Sequence, residues 1–138
     1  MQHTETYKLN LIETSDPFSP AALNQNMEML ETILTQRPQI VYGTHTGTGD
    51  VGAESPCRLE FPFKPLLVVF CNAHSSTYTA GFVWPWGAER AISVCYNDSH
   101  YRVNLSWTNN SVSWYSTSSV IYQLNAKDYT YHYIAIGV

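Results

Sequence analysis

The sequence predicts an all-β protein: an antiparallel β-sandwich preceded by a short N-terminal α-helix, assembled as a trimer. Three observations carry this expectation. From residue 39 onward, short runs rich in Val, Ile, Tyr, Phe, Trp and Thr recur about every ten residues between Gly, Asn, Ser and Pro turns, which is the spacing of a sandwich. One stretch, 19–36, carries a helical apolar period instead. The closing run from Tyr129 to Gly137 has large residues on both faces, Tyr on one and Ile on the other. A strand of that kind suits a core on one side and a neighbouring subunit on the other. The 138 residues are one domain's worth of chain. We divide them into an N-terminal arm and helical stalk, 1–38, and a β-sandwich, 39–138.

Residues 1–17 show no sustained apolar period, and Asp16-Pro17 reads as a turn, so this segment is expected to be an extended arm that a partner orders. Ser19-Pro20 then supplies an N-cap with Pro at the first helical position, where a missing N–H costs nothing. Leu23, Met27, Leu30 and Leu34 follow at steps of four, three and four, the a/d seam of a coiled coil, with Ile33 widening the stripe. The helix ends before Arg37-Pro38. A helix this short is marginal alone in water, so its stripe must pack on something. Two arrangements satisfy it: the chain's own sheet, or two sister helices in a trimer stalk. The polar Asn24, Gln25, Asn26 and Glu31 between the apolar positions are compatible with the stalk.

Beyond residue 39 the period becomes two. Leu59, Phe61 and Phe63 alternate with Arg58, Glu60 and Pro62, and Val103, Leu105 and Trp107 alternate with Asn104 and Ser106. Val112 and Trp114 alternate with Ser111 and Ser113. Each run reads as a half-buried strand, with Asn109-Asn110 turning one Trp-bearing strand into the next. Leu66 to Cys71 is apolar throughout and is expected to be covered on both faces.

Charged residues make up 13% of the chain against about 25% in an average soluble protein, while aromatics reach 14%. That balance suits a surface that touches something. A net charge of −4 leaves no basic stripe, so neither nucleic acid nor anionic lipid is an expected partner. No run approaches the ~18 to 20 apolar residues of a membrane span, and the opening Met1-Gln2-His3-Thr4-Glu5 lacks the basic start of a signal peptide. The expectation is a chain made in the cytoplasm, without membrane insertion. Cys57, Cys71 and Cys95 have no C-x-x-C spacing and read as buried thiols. Asn97, Asn104 and Asn109, each in an N-x-S match, read as turn residues.

No catalytic residue, metal ligand or cofactor is expected. Gly47-Thr48-Gly49-Asp50-Val51-Gly52 matches G-x-G-x-x-G, but Ser55-Pro56 and an alternating strand follow it, and no helix N-terminus is there to hold a phosphate. It reads as a glycine-rich β-loop. The histidines never fall at metal-ligand spacing. Asp98-Ser99-His100 holds three hydrolase residue types, but adjacent residues on a turn cannot line up as nucleophile, base and orienter. Residues 72–119 carry a different signal, since Asn, Ser, Thr and Tyr are interleaved there with Trp84, Trp86, Trp107 and Trp114. Rigid aromatics beside small hydrogen-bonding residues are the material of binding loops. Trp107 and Trp114 fall at inward positions and read as core. Tyr78, Trp84, Trp86, Tyr96 and Tyr101, near expected loop tips, are the candidate ligand contacts.

The order of parts resembles a known family. Tyr7-Lys8-Leu9-Asn10, then Leu23-Asn24-Gln25-Asn26-Met27 and Leu30-Glu31, look like the N-terminus of phage tail and tail-fibre proteins, where a short arm precedes an "LNxN" helix. Tyr42-Gly43-Thr44-His45-Thr46-Gly47-Thr48-Gly49, the run Leu59 to Val68 and the closing Tyr131-His132-Tyr133-Ile134-Ala135-Ile136-Gly137 are similar to C-terminal domains of such fibres and resemble H-type lectin-like domains. The resemblance implies a trimerising sandwich of six or more strands in a phage tail-fibre or receptor-binding protein. It further implies a virion component assembled in the bacterial host, attaching to a surface polysaccharide and joined to other tail or baseplate proteins through the arm. No sugar-binding residue carries over. The alternative is a structural tail adaptor, a trimerisation protein with no ligand of its own.

Overall fold

A computed structural model describes residues 2–13, 15–17, 19–72 and 80–138. The chain is mostly β, with two sheets packed as a sandwich and a single short helix. It divides into two compact units, Met1–Arg37 and Pro38–Val138.

In the first unit, strands β1 (Gln2–His3) and β2 (Asn10–Leu11) pair antiparallel, so the arm folds back on itself instead of running extended. Lys8, at a φ of 57°, makes the reversal, and Thr4 closes it by accepting the Leu9 N–H on its hydroxyl. Helix α1 (Pro20–Thr35) begins where the sequence places it, with the Ser19 hydroxyl accepting the Ala22 N–H. Asn10 and Asn26 join arm to helix reciprocally. The Asn10 N–H donates to Asn26 Oδ1 at 2.7 Å, and Asn26 Nδ2 donates to the Asn10 carbonyl at 2.9 Å. The helix thus turns its Ala22 and Asn26 face to the arm. The seam lies elsewhere: Met27 and Leu34 are 61% and 62% exposed, and Leu23 and Leu30 are exposed as well.

The second unit holds eight strands: β3 (Gln39–Thr46), β4 (Cys57–Glu60), β5 (Pro65–Asn72), β6 (Ala80–Pro85), β7 (Arg90–Tyr96), β8 (Ser99–Thr108), β9 (Ser111–Tyr115) and β10 (Thr130–Gly137). They form two four-stranded antiparallel sheets, β3-β10-β5-β6 and β4-β9-β8-β7. The hairpin joining β8 to β9 turns at Asn109-Asn110, with Thr108 opposite Ser111. Between β7 and β8 the turn is Asn97-Asp98, both at positive φ, as a two-residue type I′ connection requires. Asn104, by contrast, lies within β8 and not in a turn.

The period-two pattern sets the core. Val68, Phe70, Tyr131, Tyr133 and Ala135 point inward from the first sheet, and Val94, Val103, Val112 and Trp114 from the second. Phe70 sits at the centre, with ring centroids 4.6 Å from Trp84 and 5.2 Å from Trp114.

Two expectations need correction. The apolar run Leu66 to Cys71 is covered on one face only: Val68 and Phe70 are in the core, while Leu67 and Val69 are half-buried and Cys71 is exposed. The cysteines are free thiols, but of the three only Cys57 is buried.

The outward positions of the first sheet form an apolar face. Register places Tyr42 beside Ile134, Ile134 beside Val69 and Val69 beside Val83, with Ile40, Ile136, Leu67 and Pro85 in the next row. Tyr42 is 77% exposed and Ile40 68%.

Candidate functional site

Two of the depressions on the sandwich are formed by described residues with polar side chains. The larger, about 470 Å³, lies beside the glycine-rich loop and is lined by His45, Thr48, Asp50, Glu54, Cys57 and Asn125, among others. Its polar groups are largely committed to one another. Asn125, buried, uses its whole amide: Oδ1 accepts the Thr48 N–H at 2.9 Å and faces His45 Nε2 at 3.2 Å, and Nδ2 donates to Thr48 Oγ1 and the Asp50 carbonyl at 2.9 Å each. Since Oδ1 can only accept, His45 Nε2 carries the proton in this contact.

Gln123, two residues earlier in the chain, does the same. Its Oε1 accepts the N–H groups of Gly52 and Ser116, and its Nε2 donates to the Ser55 carbonyl. Gly47 is required here, because an added Cβ would stand 2.0 Å from the Ala126 carbonyl oxygen. The G-x-G match is therefore a clamp between two segments of the sandwich, with a strand and not a helix beyond it, as expected.

The chemistry of this depression follows from burial. Desolvation pushes the Cys57 thiol up to about 11, so it stays protonated at neutral pH and is a poor nucleophile. Desolvation likewise lowers His45 below its ordinary 6.5, against the opposing hydrogen bonds to Asn125 and Leu124. A histidine that is harder to protonate when folded stabilises the fold fully above 6.5, and that contribution is lost as pH falls from there through the lower folded value. Urea midpoints should therefore drop between pH 7.5 and 5, and the His45→Gln variant should show a shallower drop. Equal slopes for both proteins would count against this histidine.

The smaller depression, about 200 Å³, lies along β7 and β8 and against the 117–122 segment, and its lining includes the guanidinium groups of Arg90 and Arg102 with His100 beside them. Arg90 pairs with Asn104 and Ile92 with Arg102, so the two arginines occupy diagonal positions about 7–8 Å apart across the ladder. One wall is the 117–122 segment. Tyr101 and Tyr122 stack with centroids 3.9 Å apart and an interplanar angle of 10°. Ser93, at the β-bulge of β7, donates to the Tyr122 carbonyl at 2.6 Å and so fixes that wall.

The candidate aromatic contacts do not converge. Tyr78 lies outside the described residues. Trp84 must be removed from the set, because it is wholly buried and its indole N–H is spent on the Ile92 carbonyl. The alternation Phe82-x-Trp84 puts it on the core face of β6, not at a loop tip. Trp86 is exposed, with the Lys64 ammonium 3.9 Å over its ring. Tyr96 is exposed at the far end of β7. Trp86 precedes β7, whose seven residues run roughly 20 Å from Arg90 to Tyr96. Among the described residues of the set, Tyr101 is the one that lines either of these two depressions. Trp107 and Trp114 are structural, their indole N–H groups donating to the carbonyls of Ala88 and Gln123.

Sequence reasoning missed Arg90, Arg102 and Asn104. The signal was the hairpin itself, since a turn at Asn97-Asp98 brings these positions to one face. Among the described residues, no group of three or more His, Cys, Asp or Glu could hold a metal ion. No protein-family model, no curated protein and no solved structure matches the chain.

Proposed function

We propose that this chain is a homotrimeric phage tail-fibre or receptor-binding component of the virion, attaching to a glycan on the bacterial surface. The observation that carries the reading is the apolar outer face of the β3-β10-β5-β6 sheet. Soluble monomers rarely leave a contiguous patch of Ile, Val and Tyr in water, and such patches mark interfaces. Symmetric association of identical chains is the commonest way to cover one. The helix seam, Leu23, Met27, Leu30 and Leu34, is a second uncovered stripe, spaced for a stalk.

The short-motif likeness to fibre proteins supplies the setting, and the exposed Trp86 and Tyr96 with the half-buried Tyr101 supply surface suited to sugar rings. Avidity then does the rest. Three weak sites on one rigid particle raise overall binding without any new contact.

Absolute mass by light scattering tests the assembly: three chains per particle at micromolar concentration is expected, and a clean monomer overturns the trimer. Retention of the full chain on immobilised bacterial surface polysaccharides tests attachment. A trimer retained by none of a broad panel would favour the tail-adaptor role.

A further inference from the structure

We infer that the depression along β7 and β8 is a subsite for an acidic sugar, a pyranose ring bearing a carboxylate. The inference rests on the glycan-attachment reading and names the class of glycan. Four observations carry it.

The first is uncommitted charge. The chain has only seven Lys and Arg and a net charge of −4, yet two of those seven, Arg90 and Arg102, line one small depression. Neither guanidinium forms an ion pair among the described residues, whereas Arg58, elsewhere on the sandwich, is paired with Glu60 at 3.0 Å. No carboxylate lines the depression. Arginine presents a rigid fork of donors that matches a carboxylate, and two arginines at diagonal positions are long enough to meet on one.

The second is the neutral lining. Asn104, Thr117 and Ser118 offer amide and hydroxyl groups beside the guanidinium heads, the partners that ring hydroxyls use. The third is preorganisation: the Ser93 hydroxyl donates to the Tyr122 carbonyl at 2.6 Å and the Tyr101 and Tyr122 rings stack, which together hold the 117–122 segment against β7 and β8. The fourth is size. At about 200 Å³ the space falls below the ~300–1,000 Å³ of drug-sized sites, so it suits one sugar ring and its charged substituent, not a long segment. An acidic chain with no extended basic stripe is a poor match for a polyphosphate backbone, which separates this site from nucleic-acid binding.

The test uses the full-length protein and ligand-observed saturation-transfer NMR with three probes: glucuronic acid, glucose and inorganic phosphate. Glucuronic acid should bind in the millimolar range and at least tenfold more tightly than either of the others. The Arg90→Gln, Arg102→Gln double variant should lose at least tenfold for the acid while keeping its melting temperature, with each single variant measured beside it. Equal binding of glucose, equal binding of phosphate, no binding of the acid, or a double variant that binds like the parent would each overturn the inference. The polysaccharide panel keeps the two readings apart. Retention by neutral polysaccharides only, unchanged in the double variant, sinks the acidic subsite and leaves attachment standing. Absence of all retention sinks attachment, and the monosaccharide titration still decides the subsite.

Discussion

Replacing Trp114 by Ala should destabilise the sandwich by about 3–5 kcal/mol, a large part of the ~5–15 kcal/mol that holds a domain of this size. The side chain is wholly buried where both sheets meet, 5.2 Å from Phe70 and 5.4 Å from Trp84 between ring centroids. His45 stands against it edge-on at 5.2 Å. Truncation opens a cavity among three rings and also strands the Gln123 carbonyl, which accepts the Trp114 indole N–H at 2.6 Å. Gln123 in turn holds Gly52, Ser55 and Ser116, so loss of this anchor reaches the glycine-rich loop. Urea unfolding followed by far-UV circular dichroism checks it. Trp114→Phe keeps most of the area and loses only the indole N–H, and should cost clearly less. Equal losses for the two variants would show that the hydrogen bond outweighs the packing.

Where local physics decides, the sequence was legible. Ser19-Pro20 and the four-three-four spacing located the helix to within a residue at each end, because capping and period are both written in neighbouring positions. Alternation likewise identified Val103, Leu105, Val112 and Trp114 as inward residues. At Trp84 the expectation of a loop tip fails, because Phe82 two positions earlier sets the inward phase that Trp84 follows.

The buried amides Gln123 and Asn125 left no such trace. Their partners lie up to 77 residues away, and a stretch of Ser, Val and Tyr without a period gives no sign that two polar side chains are interior. Leu124 between them adopts a φ of 53°, rare for a leucine, in a turn where the four consecutive residues Gln123 to Ala126 are all buried. The β7–β8 groove was hidden for a related reason: net charge averages over the chain, and only strand register shows that two arginines share a face.

In the proposed trimer, charge placed at the centre of the outer apolar face should dissociate the particle without unfolding the chain. Ile134 is the position of choice, since register sets it between Tyr42 of β3 and Val69 of β5. Its side chain points away from the core, where its neighbours Tyr133 and Ala135 are buried. If a second copy covers this face as proposed, Ile134→Glu would bury a carboxylate among apolar groups, yet on an isolated chain the same carboxylate stays in water. The expected result is a fall from trimer to monomer by light scattering with the far-UV spectrum unchanged. Met27→Glu on the helix makes the paired measurement. If only the helix variant dissociates, the stalk holds the particle and the sheet face has another partner. If only Ile134→Glu dissociates, the sandwich is the trimerising unit and the seam contributes little. Two variants that both remain trimeric would remove the apolar face as the basis of assembly, and with it the main support for the fibre reading.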